Sequence, residues 1–123
     1  MELDELFEYC STKPYATSGF PFDKNLLTFR VGGKIFAMIA IHFWEAGNRN
    51  IILKCNPDYA EELRERYEDI TFGHTMNKKH WNTIYLKGGF TRDQLVEWID
   101  ISYDLVYDTL SRTELISLGK KEI

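Results

Sequence analysis

The chain has little from which to build a covalent staple, a membrane anchor or a cofactor cradle. It has only two cysteines, Cys10 and Cys55, which lie far apart and outside any C-x-x-C pair. That excludes a disulfide framework and fits two reduced thiols in a reducing compartment. The longest apolar stretch, residues 35–41, is far too short to cross a bilayer. The N-terminus carries Glu2, Asp4, Glu5 and Glu8 where a signal peptide needs positive charge followed by an apolar run. A cytoplasmic protein with no membrane partner is therefore expected.

Catalytic signatures are missing as well. There is no G-x-S-x-G elbow, no phosphate-binding P-loop and no G-x-G-x-x-G. His42, His74 and His80 have no helical i, i+4 spacing and no cysteine partner at zinc-finger distance, so no metal site is expected. Cys10 falls on an apolar helix stripe, where a thiol packs as a small hydrophobe. Cys55 precedes a helix start, a place that lowers a thiol pKa, and so keeps a minor redox role open. The carboxylates lie on helix surfaces rather than paired at strand ends. A non-enzymatic protein without cofactor is the expectation.

What is present suits one domain. The chain has 123 residues, of which 44% are hydrophobic and 15% aromatic, enough for a core without metal or disulfide support. Leu3, Leu6, Phe7 and Cys10 recur at spacings of three and four, predicting a helix over 2–12 that Pro14 ends. Residues 17–23 read as a loop. Segments 26–31 and 34–41 read as a hairpin about Gly32-Gly33, since both turn positions can take positive φ. Regular pairing would set Phe29 opposite Phe36. It would put Leu27, Phe29, Val31, Phe36, Met38 and Ala40 on the core face, and Leu26, Thr28, Arg30, Ile35, Ala37 and Ile39 on the other.

After a loop over 42–49, residues 50–54 form a short strand. Asn56-Pro57-Asp58 then opens a helix to about Tyr67, with Asn56 as cap and Pro57 at the first helical position. Residues 70–74 and 80–86 read as strands around 75–79, with Trp81 buried. Thr91 and Gln94 make a capping box, with Phe90 and Leu95 as its hydrophobic staple. The helix that follows buries Leu95, Trp98, Ile99, Ser102, Val106 and Leu110, and the tail from Ser111 is expected to fray. The order is helix, three strands, helix, two strands, long helix. It predicts an α+β domain with an antiparallel sheet and the helices packed on one face.

Charge is divided between these elements. Residues 24–56 and 70–92 hold nine basic residues against one acid, Glu45, a balance of +8 that leaves −12 for the remainder of a chain with net charge −4. Helix starts favour acids, which accounts for part of this. The functional reading is a basic sheet face that takes a polyanion. Met76-Asn77-Lys78-Lys79-His80-Trp81-Asn82-Thr83 is the most unusual segment. Lys78 and Lys79 suit phosphates, His80 and Asn82 suit phosphate or base edges, and Trp81 stacks on an unpaired base if it is exposed.

The runs F-P-F-D-K-N-L-L-T-F-R-V-G-G-K-I-F-A, L-K-C-N-P-D-Y-A-E-E-L-R and M-N-K-K-H-W-N-T-I-Y-L, with S-Y-D-L-V in the last helix, resemble the MmcQ/YjbR family over residues 3–110. The resemblance implies a frataxin-like (CyaY-like) fold and a "double wing" DNA-binding role with β-hairpins as wings. The wings here would be the Gly32-Gly33 hairpin, with Arg30 and Lys34, and the Lys78-Lys79-His80 turn. The expected nucleic-acid contacts are then Arg30, Lys34, Arg49, Lys54, Lys78, Lys79, His80 and Asn82, binding DNA in a salt-sensitive and mostly sequence-independent way, with a monomer favoured. The alternative is a protein-interaction or small-ligand module using Leu26, Ile35, Ala37 and Ile39.

Overall fold

The sheet grows outward from the Gly32-Gly33 turn. In the computed structural model, which describes residues 1–73 and 76–120, Gly32 and Gly33 have φ of 60° and 78°. This left-handed pair is what a two-residue hairpin turn needs. It joins β2 (Leu26–Val31) to β3 (Lys34–Ala40). The remaining strands are β1 (Thr17–Gly19), β4 (Asn50–Lys54), β5 (Ile70–Phe72) and β6 (Trp81–Tyr85). They form one antiparallel sheet in the order β1-β2-β3-β4-β6-β5.

The helices are α1 (Leu3–Ser11), α2 (Ile41–Glu45), α3 (Pro57–Arg66), α4 (Arg92–Tyr107) and α5 (Arg112–Ser117). Each adds side chains to a single main core, so they gather on one face of the sheet. Local chemistry sets their starts. Asn56 accepts from the Asp58 N–H at 3.0 Å at the head of α3. Thr91 and Gln94 form the reciprocal box that opens α4. Ser111 and Glu114 form a second such box, so the segment expected to fray opens as a helical turn. The α+β class and the long helix with its buried stripe are as the sequence predicts. Three short elements, β1, α2 and α5, are additions. His74 and Thr75, at the end of one predicted strand and the start of the following turn, lie outside the described residues.

The hairpin differs from its predicted register, with consequences for both faces. Arg30 pairs with Ile35 and Phe29 with Ala37, so Phe36 is an extra residue in a one-residue bulge. Phe36 and Ala37 both enter the main core, and beyond them the alternation is inverted. Ala37 and Ile39 are core residues, whereas Met38 lies on the outer face with Ile52 and Trp81 in a second, smaller cluster. Ala40, paired with Leu26, follows Met38 to that face. The bulge thus corrects both the expected core face and the half-apolar second face, from which Ala37 and Ile39 are withdrawn.

The bulge also interrupts β3–β4 pairing, which is limited to Ala37↔Leu53 and Met38↔Ile52. The next pair in register would be Phe36 with Lys54. Ser102 of α4 bridges them instead: its hydroxyl donates to the Phe36 carbonyl at 2.5 Å and accepts from the Lys54 N–H at 2.8 Å. A polar residue in the apolar stripe of α4 therefore completes the sheet.

Candidate nucleic-acid interface

Strand direction decides where the basic residues meet. β2 runs toward the Gly32-Gly33 turn, β4 ends on the same side, and β6 starts there because Lys54 pairs with Trp81. Arg30, Lys34, Lys54, Lys78, Lys79 and His80 therefore collect at one end of the sheet. Arg49 precedes β4 at the opposite end, with Arg92 near it. Each is held by an acid of the α1 region, Arg49 by Glu2 and Arg92 by Glu5, both at 2.7 Å. The Arg92 contact helps to hold the Glu5 carboxyl below its ordinary range, second to a hydrogen bond from the Glu2 backbone N–H.

Pairing also assigns faces. Arg30 pairs with Ile35, and Lys54 with Trp81 of the outer cluster, so both basic side chains belong to the outer face. One strand lies between them, which sets them about 10 Å apart at ordinary strand spacing. The Arg30 Nε is buried without a hydrogen-bond partner. No ion pair joins Arg30, Lys54, Lys78 or Lys79 to a carboxylate among the described residues. Lys34 faces the other way: its ammonium reaches the Thr109 carbonyl and hydroxyl at 3.4 and 3.3 Å, beyond the end of α4. The turn beside it is docked as well, since a Cβ on Gly32 would lie 2.6 Å from Leu110 Cδ2. The hairpin tip is thus a fixed corner.

The Met76–His80 turn is built from its own sequence. Met76 packs on the outer cluster of Met38, Ile52 and Trp81. The Asn77 side chain accepts from the Lys79 N–H at 2.9 Å, and the Asn77 carbonyl accepts from the His80 and Trp81 N–H groups at 3.1 and 3.0 Å. The His80 carbonyl in turn accepts from Cys55 N–H at 2.7 Å, which ties the turn to the end of β4. Lys78 and Lys79 are left exposed at the tip, with His80 half-buried.

Two residues of this motif turn away from any ligand. Trp81 is 5% exposed and serves the outer cluster, as its predicted burial required, so it offers no stacking face. Asn82 is 1% exposed on the helix face: its Oδ1 accepts from Arg64 Nη1 at 2.7 Å and its Nδ2 donates to the Ala60 carbonyl at 3.2 Å. Asn82 is therefore removed from the expected contacts, and Arg49 is separated from them by the length of the sheet. Cys55 needs correction too. Burial pushes its thiol up to about 11, against the opposing Asn56 backbone N–H and Arg64, so the helix start does not make a reactive thiolate.

Arg64 and Phe72 were not singled out from the sequence. Phe72 is 48% exposed on the edge strand β5, with the Arg64 guanidinium 4.4 Å and the Lys78 ammonium 5.8 Å from its ring centre. Arg64 sits in a run of helix charges and Phe72 in a short strand, and only the fold brings them together.

A model of the family described as YjbR matches residues 11–105. The chain belongs to the YjbR family. Among curated relatives, uncharacterized protein YjbR of Escherichia coli (strain K12) is 33% identical over 111 residues, covering 89% of this chain and 91% of that protein. Uncharacterized protein YbdF of Escherichia coli O157:H7 is 32% identical over 101 residues, covering 82% and 80%. The YjbR-family fold has solved counterparts. The crystal structure of Deinococcus radiodurans protein DR2400, with a domain of family DUF419, superposes with a TM-score of 0.85 at 32% identity, covering 97% of this chain and 88% of that one. A Pseudomonas syringae protein superposes at 0.72 with 25% identity, covering 86% and 99%.

Proposed function

We propose that this YjbR-family chain is a non-enzymatic DNA-binding protein that uses the basic end of its sheet. The observation that carries the reading is the set of four cations, Arg30, Lys54, Lys78 and Lys79, gathered at one end with no carboxylate partner among the described residues. At the opposite end Arg49 and Arg92 are neutralised by Glu2 and Glu5, which leaves Lys24 and Lys87 there as separate charges flanking β2 and β6. Clustered charge on an acidic protein gives a local field that a polyanion feels despite the total. DNA is preferred among polyanions because of the family's double-wing description. In this reading the exposed Met76–His80 turn is one wing and the docked hairpin corner the other. The fold is read as CyaY-like and the setting as cytoplasmic, where both buried thiols stay reduced.

The test is a titration of labelled duplex and single-stranded DNA across salt. Phosphate contacts dominate such binding, and each one lost lowers the salt slope by about 0.9 on duplex. Replacing both Lys78 and Lys79 by alanine is expected to weaken binding and lower that slope by nearly two. Arg49→Ala, at the far end, is expected to leave both unchanged. Absence of any salt-dependent binding at low ionic strength, to either form of DNA, refutes the proposal.

A second reading, a protein-interaction module, draws on a different surface. Leu3, Phe7, Phe20 and Leu27 line an open apolar groove edged by Glu2 and Asp4, and Phe7 and Phe20 are 43% and 49% exposed. A strictly monomeric protein whose Phe7→Ser and Phe20→Ser variants lose no interaction partner would dismiss it.

A further inference from the structure

We propose that Phe72, with Arg64 and Lys78, forms a stacking site for an unpaired nucleobase, so that the strand held at the basic end is single-stranded. This rests on the DNA-binding reading above and narrows its ligand. Phe72 is the last residue of the edge strand β5, and nearly half of its surface remains open. A Phe at a free sheet edge contributes little to a core. Here it forms a platform with a cation on either branch of the fold, the α3 guanidinium at 4.4 Å and the turn ammonium at 5.8 Å.

The platform is organised before any ligand arrives. Asn82 accepts from Arg64 Nη1 at 2.7 Å and itself donates to the Ala60 carbonyl, so the guanidinium is anchored by a buried partner. A base laid on the exposed ring or guanidinium surface meets little further ordering cost. Stacking tolerates any base, because every base has a π-face. Lys78 and Lys79 then stand within reach of the flanking phosphates.

Topology argues for a single strand. Arg30 and Lys54 lie on the outer face, whereas Phe72 pairs with Asn82 and so shares the helix face. A ligand that engages both must turn around the sheet edge at the Met76–His80 loop. Duplex DNA is stiff over distances far longer than this domain, and its bases are already stacked on one another. A flexible single strand can make the turn and present an unstacked base.

The experiment compares a labelled oligothymidylate with an abasic oligonucleotide of the same length, by fluorescence anisotropy. The unaltered protein is expected to bind the oligothymidylate about tenfold more tightly. Phe72→Leu is expected to erase that preference while leaving abasic and duplex binding in place, and Phe72→Trp to restore it. Equal binding of the two oligonucleotides by the unaltered protein overturns the inference, whether or not a variant folds. So does a folded Phe72→Leu protein that keeps the preference. If salt-dependent duplex binding persists in either case, the stacking site alone is refuted. If no nucleic acid binds, the DNA-binding reading falls and this inference with it.

Discussion

Ser102→Ala is expected to destabilise the domain far more than the loss of one hydroxyl suggests. The Ser102 side chain is fully buried and is the link between the Phe36 carbonyl and the Lys54 N–H, at 2.5 and 2.8 Å. Both backbone groups belong to strands, but the bulge at Phe36 has taken them out of direct register. Removing the hydroxyl leaves one donor and one acceptor without a partner on the covered side of the sheet. Each such group costs about 1–3 kcal/mol, so a loss of about 3 kcal/mol is expected once partial relaxation of β4 is allowed. For a domain of this size that lowers the melting midpoint by about 10 °C. Urea unfolding followed by far-UV circular dichroism measures the loss, with an unchanged m-value showing that the unfolded state is comparable. Ser117→Ala is the control, because its hydroxyl bond to the Thr113 carbonyl is exposed. It should stay within about 0.5 kcal/mol of the parent. A Ser102→Ala loss below about 1 kcal/mol would refute the bridge and mean that β3 and β4 pair directly when it is removed.

Three further outcomes follow from the same geometry. Gly73→Ala should destabilise by about 1–3 kcal/mol, because a Cβ there would lie 2.7 Å from Trp81 Cβ and 3.1 Å from Trp81 backbone atoms, which a rotamer change cannot clear. Chemical denaturation of the purified variant decides it. Asn82→Ala should cost about 1–3 kcal/mol and loosen the Arg64 guanidinium over Phe72, seen by NMR as collapse of the Arg64 side-chain shifts toward their unstructured values. Burial pushes the Cys10 and Cys55 thiols up from the ordinary 9.0, to about 12 and about 11. The folded state therefore favours the protonated forms. Their contribution to stability is whole below pH 9 and lost as pH rises through 11 to 12. Neither thiol should react with a disulfide reagent at neutral pH until denaturant is added, and rapid native-state labelling would contradict this.

The features legible in the sequence are those decided within a few residues of chain. The Thr91–Gln94 box, the Asn56-Pro57 helix start and the Gly32-Gly33 turn each satisfy backbone groups or dihedral needs locally, and each stands where the residues predict. A turn is expected over 75–79 and the structure has one at Met76–His80, one residue into the expected strand, where Asn77 binds its own neighbours. The division of charge between sheet and helix segments was also legible, because it is a property of composition by segment.

Tertiary structure decided which of those charges stand together and which are cancelled. Arg49 is basic by sequence, yet it lies at the far end against Glu2 because strand direction, not chain position, sets the ends of a sheet. Strict alternation assumes one residue per rung, so the single extra residue at Phe36 exchanged Ala37 and Ile39 for Met38 and Ala40. Asn82, Arg64 and Phe72 come from three separate segments, and their contact exists only because α3 packs over the β5–β6 edge. By itself the sequence determined the elements and their caps, since those depend on local hydrogen bonds and periodicity. The candidate site depends on long-range packing, and so it was settled only when the strands were paired.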